Sequence, residues 1–243
     1  MFPSTNGYNS YEDKDEGSIG GLKSPPPVNK NLFRTTLLFD GLAIAASLMI
    51  SLQVAVLILV FIIMERIYSY RKIRLKKYPV LAFFIVFVFQ GGYIYLISEM
   101  AISGSTFTTA MDNGTAICMI ISSLFIGSMY PLTQIYQHDS DKNDGVISLS
   151  YKLGYRGTFV FSGMLFALAV LLTTYYFIEL RFIAAVILFG VLILPVVIRM
   201  SIWFNKVKKN TRHANFDNTM SMNLLSSISM NTYFLILTLY KFI

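Results

Sequence analysis

Two clusters of acidic residues are the part of this sequence best suited to chemistry. The first spans residues 9–17 and the second spans residues 138–145. Their acids are Glu12, Asp13, Asp15, Glu16, Asp139, Asp141 and Asp144. Each cluster lies beside apolar segments of membrane length, where charged groups are costly and tend to be functional. Carboxylate oxygens suit Mg²⁺, an ion commonly shared with substrate phosphates. The pair of clusters therefore predicts a site that holds divalent cations against an anionic substrate.

The overall composition is that of a membrane protein. Of the 243 residues, 55% are hydrophobic and 14% are charged, and the mean hydropathy is +0.59. These values lie outside the range of ordinary soluble domains. The net charge of +7 would suit nucleic acid, but the basic residues stand in short loops at the ends of apolar runs, as membrane topology requires. We therefore expect the lipid bilayer, and no nucleic acid, as the partner of this surface.

Seven apolar segments predict membrane-spanning helices, because a span requires about 20 largely apolar residues. They are residues 32–52, 54–68, 79–102, 114–136, 157–177, 180–204 and 219–242. The predicted fold class is an all-α integral membrane protein, a multi-helix transmembrane bundle. Residues 1–31 are expected to form an N-terminal cytoplasmic acidic loop. Residues 32–243 are expected to form the transmembrane domain, with a second acidic loop at residues 137–155.

The basic residues predict the orientation of the chain. They precede the first segment and follow the second, fourth and sixth, whereas the intervening loops at residues 103–113 and 178–179 are nearly free of them. Loops rich in lysine and arginine face the cytoplasm. Both acidic clusters share that side, so we expect a multi-pass protein, in a bacterial inner membrane, with its acidic and basic loops cytoplasmic.

A third polar loop, at residues 68–77, completes a set of groups suited to a lipid diphosphate. It contains two tyrosines and five basic residues, among them Lys76 and Lys77. Lysine and arginine side chains neutralise phosphate oxygens directly, and Mg²⁺ together with such cations stabilises a leaving diphosphate. A cavity between the helices would hold the apolar tail of the substrate.

These three segments together resemble the UbiA superfamily of membrane prenyltransferases. Residues 9–17, followed by Lys23-Ser-Pro25, look like the first signature of that family, which reads N-D-x-x-D-x-x-x-D and ends in a basic-Pro stretch. Residues 141–154 are similar to the second acidic loop of the family, and residues 68–79 resemble its Tyr-and-lysine loop. The three motifs follow in the order of the family, so the resemblance covers nearly the whole chain.

The resemblance implies a function and a set of residues. The function is transfer of a prenyl group from an allylic polyprenyl diphosphate to a small acceptor, often aromatic, with Mg²⁺ assisting ionisation. Asp13 and Asp141 are then implied as catalytic residues. Substrate binding is implied for Asn9, Tyr68, Lys76, Lys77 and Lys23. Metal binding is implied for Asn9, Asp13, Asp15, Asp139 and Asp141.

The chain departs from the family pattern in length and at three positions. The family has nine helices, of which about seven are expected here, so the first two helices would be absent and residues 1–8 would be a stub of the second. Ser10 and Gly17 stand where the first motif has acids, and Gln137 stands at the first acid of the second motif.

Two other classes of function remain open at the level of the sequence. The substituted acids also suit a non-catalytic remnant that acts as a membrane scaffold. Asp40, inside the first apolar segment, and Pro195, inside the sixth, suit a small transporter. An intramembrane carboxylate such as Asp40 needs a partner in the bundle, and the sequence does not identify one. Glu65, beside Arg66 at the end of the second segment, is interpreted as an interfacial charge, and His138 as a local hydrogen-bonding residue.

Overall fold

Long apolar helices dominate the architecture. The computed structural model describes residues 1–14, 17–143 and 145–240, apart from the side chains of residues 139, 140 and 143. Within these residues, six helical segments are long and apolar enough to cross a membrane. They are Leu52–Ser69, Pro79–Ser103, Asn113–Thr133, Leu149–Glu179, Ile183–Lys209 and Phe216–Tyr240. An all-helical membrane bundle, the predicted fold class, is therefore confirmed.

The elements follow in this order along the chain. Helix α1 is Phe2–Asp13, α2 is Lys30–Leu48, α3 is Leu52–Ser69, α4 is Pro79–Ile85, α5 is Ile94–Ser103, α6 is Phe107–Ala110, α7 is Asn113–Thr133, α8 is His138–Asn143, α9 is Leu149–Glu179, α10 is Ile183–Lys209 and α11 is Phe216–Tyr240. A π-helical segment, Val86–Tyr93, joins α4 to α5 and completes the Pro79–Ser103 span. A short 3₁₀ turn, Leu75–Lys77, precedes α4.

The structure differs from the sequence prediction at two elements. The segment predicted at residues 32–52 is helical as α2, but its Lys30, Arg34 and Asp40 make it more polar than the six spans. The sequence predicts a loop at the first acidic cluster, but residues up to Asp13 belong to helix α1. The short side chains of Ser4 and Thr5 let this helix pack closely on α2 and α3, where both residues are buried.

Polar side chains begin several of the helices. Asn29 accepts hydrogen bonds from the amides of Asn31 and Leu32 at the start of α2, at 2.9 and 3.3 Å. The side chains of Ser51, Asp112 and Ser148 likewise accept amide hydrogen bonds at the starts of α3, α7 and α9. Such caps satisfy amides that have no partner inside the helix.

The π-helical segment lies against α7 at a very close approach. A Cβ atom on Gly91 would clash with the Cα atom of Ser123, and the amide of Gly92 donates to the Ser123 hydroxyl at 2.8 Å. Helix pairs in membranes are stabilised by such contacts between small residues. One turn further along the same face of α7, Phe83 and Phe87 pack over Gly127.

The largest apolar core lies among α7, α9, α10 and α11. Trp203, Phe189 and Tyr233 are almost fully buried there. The indole N–H of Trp203 donates to the carbonyl of His213 at 2.8 Å, so its one polar group is satisfied. The outward faces of the same helices carry exposed leucine and isoleucine side chains, as expected of surfaces in contact with lipid.

A buried ion pair joins α1, α2 and α3. The Asp40 carboxylate, on α2, accepts from the guanidinium of Arg66, on α3, with Nε–Oδ2 at 2.9 Å. The hydroxyl of Ser4, on α1, donates both to that carboxylate and to the carbonyl of Thr36. The ring of Tyr8 lies 4.3 Å from the guanidinium carbon, a cation–π distance. The partner that Asp40 required is therefore Arg66.

The close approach at Gly91 yields a prediction. Gly91→Ala is expected to lower the stability of the protein by about 2 kcal/mol, because overpacking forces neighbouring backbone apart. The measurement is the midpoint of thermal unfolding in detergent. Gly190→Ala on α10 is the matched control, since nothing lies within 4 Å of a Cβ atom at Gly190. Equal midpoints for the two variants would contradict the proposed contact.

The buried ion pair yields a second prediction. Asp40→Ala is expected to destabilise the protein by about 3 kcal/mol, because removal of one partner leaves a largely buried charge uncompensated. Asp217→Ala is the control: its pair with Lys23 is exposed, at 70% and 67% of the two side chains, and such pairs contribute little. Thermal unfolding in detergent compares the two. Similar losses in both variants would show that α1 does not depend on the buried pair.

Candidate active site

One cavity of about 570 Å³ gathers the polar residues of the sequence motifs. It lies where the C-terminal ends of α1, α3 and α7 meet the loop after α3 and helix α8. Its lining includes Asn9, Asp13, Lys14, Glu65, Tyr68, Ser69, Arg74, Lys76, Gln90, Tyr130, Gln134, Tyr136, Gln137 and Asp141. Segments far apart in the chain thus contribute acids, bases and hydroxyls to one site.

Asp13 lies between two cations at this cavity. Its carboxylate accepts from the Arg74 guanidinium at 3.1 Å and from the Lys76 ammonium. All three side chains are between 10% and 12% exposed. A carboxylate this enclosed is stable as an ion because opposite charges contact it. The acid and the bases of the two motifs therefore form one electrostatic unit.

Asn9 links the same unit to helix α3. Its side-chain oxygen accepts from the Lys76 ammonium at 3.0 Å and from the Ser69 hydroxyl at 2.9 Å. Asn9 and Asp13 are four residues apart, so both point from one face of α1. The amide of Arg71 donates to the Glu12 carboxylate at 3.1 Å. The loop after α3 is thus held against the end of α1.

Four further polar side chains line the cavity: Glu65 and Tyr68 on α3, Tyr130 on α7 and Gln90 in the π-helical segment. The hydroxyls of Tyr68 and Tyr130 are hydrogen-bonded to each other at 2.7 Å. The amide of Gln90 donates to both oxygens of the Glu65 carboxylate at 3.2 Å. Gln90 belongs to the π-helical segment, a feature frequent at functional sites. The interpretation of Glu65 as an interfacial charge is therefore wrong: the residue is 6% exposed and faces the cavity.

The second acidic loop reaches the cavity through Asp141. Its amide donates to the carbonyl of Gln137 at 2.8 Å within the turn that leads into α8. The loop is anchored by His138, whose ring nitrogen bonds the Ser150 hydroxyl at 2.8 Å and whose ring stacks on Tyr155. Ser150 in turn bonds Thr158 at 3.0 Å. His138 is thus the local hydrogen-bonding residue that the sequence predicts.

The structure brings most of the predicted site residues together, though not all. Asn9, Asp13, Tyr68, Lys76 and Asp141 all line the cavity.

Two predicted lysines lie elsewhere. Lys77 is exposed, with its ammonium 5.1 Å from the ring of Tyr78. Lys23 forms its exposed ion pair with Asp217, on α11. Asp15 and the side chain of Asp139 lie outside the residues that the structure describes.

Sequence reasoning missed Arg74, Glu65 and Gln90. Arg74 is one of the five basic residues in the loop at residues 68–77, and nothing in the sequence separates it from its neighbours. Its backbone is left-handed, with φ of 49°, which turns the chain back toward Asp13. Glu65 did carry a usable signal, since it precedes Tyr68 by three residues and therefore shares its helix face.

The donors at the cavity are of the kind that binds Mg²⁺. Asn9, Asp13 and Asp141 offer amide and carboxylate oxygens, which this hard cation prefers. Within residues 1–14, 17–143 and 145–240, no three His, Cys, Asp or Glu side chains stand close enough together to hold a metal. The residues present thus fit an ion that keeps several waters or shares substrate oxygens, rather than an all-protein cage.

By class, the protein is a helical membrane bundle with a charged cavity at the ends of its helices. Comparison of sequences then gives the family: the chain matches the UbiA prenyltransferase family over residues 1–225, and it belongs to that family. The general chemistry of that family is prenyl transfer. The resemblance inferred from the three motifs is confirmed.

Comparison of structures finds the same fold in a digeranylgeranylglyceryl phosphate synthase. The TM-score is 0.55 and the sequence identity is 22%, over 96% of this chain and 78% of that chain. A likeness at this identity concerns the fold. No curated protein sequence matches the chain significantly.

Proposed function

We propose that this protein transfers a prenyl group from an allylic polyprenyl diphosphate to a small acceptor, often aromatic, with Mg²⁺ at the diphosphate. The observation that carries the proposal is the shared cavity. Asn9, Asp13 and Asp141 line it together with the cations Arg74 and Lys76. Binding of a metal together with a diphosphate requires acids that suit the metal and bases that suit phosphate in one cavity.

The basic residues are suited to the leaving group. As the bond between the allylic carbon and the diphosphate oxygen breaks, both electrons go to oxygen and the diphosphate gains negative charge. The Arg74 guanidinium and the Lys76 ammonium, both held at Asp13, are placed to stabilise that charge. Groups fixed before the reaction do so without reorganisation, which is why such electrostatic stabilisation is effective.

Asn9, Asp13 and Asp141 would hold Mg²⁺. The ion, when bound, supplies further charge neutralisation of the diphosphate. Asp13 balances Arg74 and Lys76 in the structure described here, so a bound metal–diphosphate would share these three side chains. Asp13 would then pair with the metal, and Arg74 and Lys76 with the diphosphate. The net charge of the cavity would therefore stay close to neutral when the charged substrate binds.

The aromatic lining is suited to the carbocation left behind. Tyr68, Tyr130 and Tyr136 line the same cavity, and the face of an aromatic ring attracts a cation. The carbocation would then be attacked by the acceptor, which loses a proton as the new bond forms.

We further propose that the cavity opens toward the cytoplasm. The loop of residues 70–78, which borders it, is the most basic loop of the chain. By the positive-inside rule such loops remain on the cytoplasmic side, where soluble prenyl diphosphates are available.

The acids yield a prediction for activity. Asp13→Asn and Asp141→Asn are each expected to lower the rate of pyrophosphate release from farnesyl or geranylgeranyl diphosphate at least about 100-fold, the scale on which a lost electrostatic group acts. The assay uses detergent-purified protein with Mg²⁺ and a panel of acceptors, and chelation of Mg²⁺ should abolish release in the wild type. Asp217→Asn, at the exposed pair with Lys23, is the control and should keep full activity.

Release that persists unchanged in both acid variants would remove this site from the reaction. No release from the wild-type protein with any acceptor would instead favour the scaffold over the enzyme.

The two adjacent lysines yield a sharper prediction. Lys76→Met is expected to weaken binding of a farnesyl diphosphate analogue about 10- to 100-fold, because a charge-assisted hydrogen bond contributes roughly 1.5–3 kcal/mol. Lys77→Met should change it less than about threefold, since Lys77 is exposed outside the cavity. Equilibrium binding of farnesyl thiodiphosphate, which is cleaved slowly, measures both. Equal losses in the two variants would mean that bound substrate draws in Lys77 as well.

A further inference from the structure

The Glu65 carboxylate lies in the cavity but takes no part in the proposed diphosphate site. It is 6% exposed, and the described residue that bonds it is Gln90, whose amide nitrogen lies 3.2 Å from each carboxylate oxygen. Burial of a carboxylate in a membrane helix is costly and marks a functional position. Each carboxylate oxygen can accept two hydrogen bonds, so the pair with Gln90 leaves capacity for a ligand.

The depth of Glu65 separates it from the diphosphate groups. Glu65 precedes Ser69 by four residues on α3, which is about one helical turn of roughly 6 Å. Ser69 bonds Asn9, and Asn9 bonds Lys76, so these three residues belong to the layer that would hold diphosphate. Glu65 therefore lies one turn nearer the middle of the span than that layer.

The character of the cavity changes over the same turn. The basic residues among its described lining are Lys14, Arg74 and Lys76, and each belongs to the end of α1 or to the loop after α3. The Gln90 amide bonds Glu65, and the lining residues Val86, Tyr68 and Tyr130 of the same cavity are uncharged. The outer layer is thus cationic, whereas the inner layer carries a carboxylate without a described cation.

We propose that Glu65, oriented by Gln90, selects the acceptor: it accepts a hydrogen bond from an uncharged hydroxyl group and disfavours acceptors that present a carboxylate there. This inference rests on the proposed prenyl transfer and names the class of acceptor for it. A site built to hydrogen-bond a hydroxyl rejects analogues that lack it, because its buried polar group is then left unpaired. A carboxylate ligand would add a like charge beside Glu65 in a region of low dielectric.

Three naphthalene probes test the choice of polar group directly. They are 2-naphthol, which has a hydroxyl donor, 2-methoxynaphthalene, which has none, and 2-naphthoate, which is an anion. Their fluorescence reports binding to protein in nanodiscs loaded with Mg²⁺ and farnesyl thiodiphosphate, with empty nanodiscs subtracted. The wild-type protein is expected to bind 2-naphthol at least tenfold more tightly than either of the other two.

Variants assign that preference to the two residues. Glu65→Gln is expected to weaken 2-naphthol binding at least fivefold and to strengthen 2-naphthoate binding at least threefold, since the like charge is gone. Gln90→Leu should weaken 2-naphthol binding without helping 2-naphthoate, because the charge of Glu65 remains. Glu179→Gln, at the exposed end of α9, is the matched control and should match the wild type.

The outcomes separate this inference from the proposed function. Equal binding of the three probes, tighter binding of 2-naphthoate, or binding of none by the wild type overturns the role of Glu65. Binding of farnesyl thiodiphosphate, measured in the same samples, tests the proposed function on its own. Its loss in Glu65→Gln would place Glu65 in the diphosphate site and also contradict the inference.

Discussion

The buried pair between Asp40 and Arg66 is the interaction on which the geometry of the site depends. It joins α2 to α3, and Ser4 brings α1 to the same carboxylate. Helix α1 is short and largely polar, so burial of apolar side chains alone holds it weakly. Because Asn9 and Asp13 extend from this helix, their positions at the cavity depend on an ion pair that lies outside the cavity lining.

Two adjacent residues on α3, Glu65 and Arg66, have different roles. Arg66 faces α2 and completes the ion pair, whereas Glu65, one position earlier, faces the cavity. Successive residues of a helix point about 100° apart, so this division follows from helix geometry alone. It also ties the cavity to the fold, because a rotation of α3 that moved Glu65 would break the contact of Arg66 with Asp40.

The sequence predicts the elements of this protein better than their contacts. Hydropathy identifies the long helices because each span must be apolar on its own. The motifs predict that Asn9, Asp13, Lys76 and Asp141 share one site, and all four line the cavity. The contacts within the site are harder to predict from the sequence. Arg74 reaches Asp13 and Lys77 does not, because the backbone turns left-handed at Arg74.

The π-helical segment has a consequence for the comparison of relatives by sequence. A π turn holds one more residue than an α turn of the same span, so the residues beyond it are rotated about the helix axis. Gln90, Gly91 and Gly92 all belong to Val86–Tyr93. In a relative whose helix lacks the additional residue, an ungapped alignment would pair Gln90 with a side chain on another face. Cavity residues of such relatives should therefore be matched in space, with a one-residue gap placed at this segment.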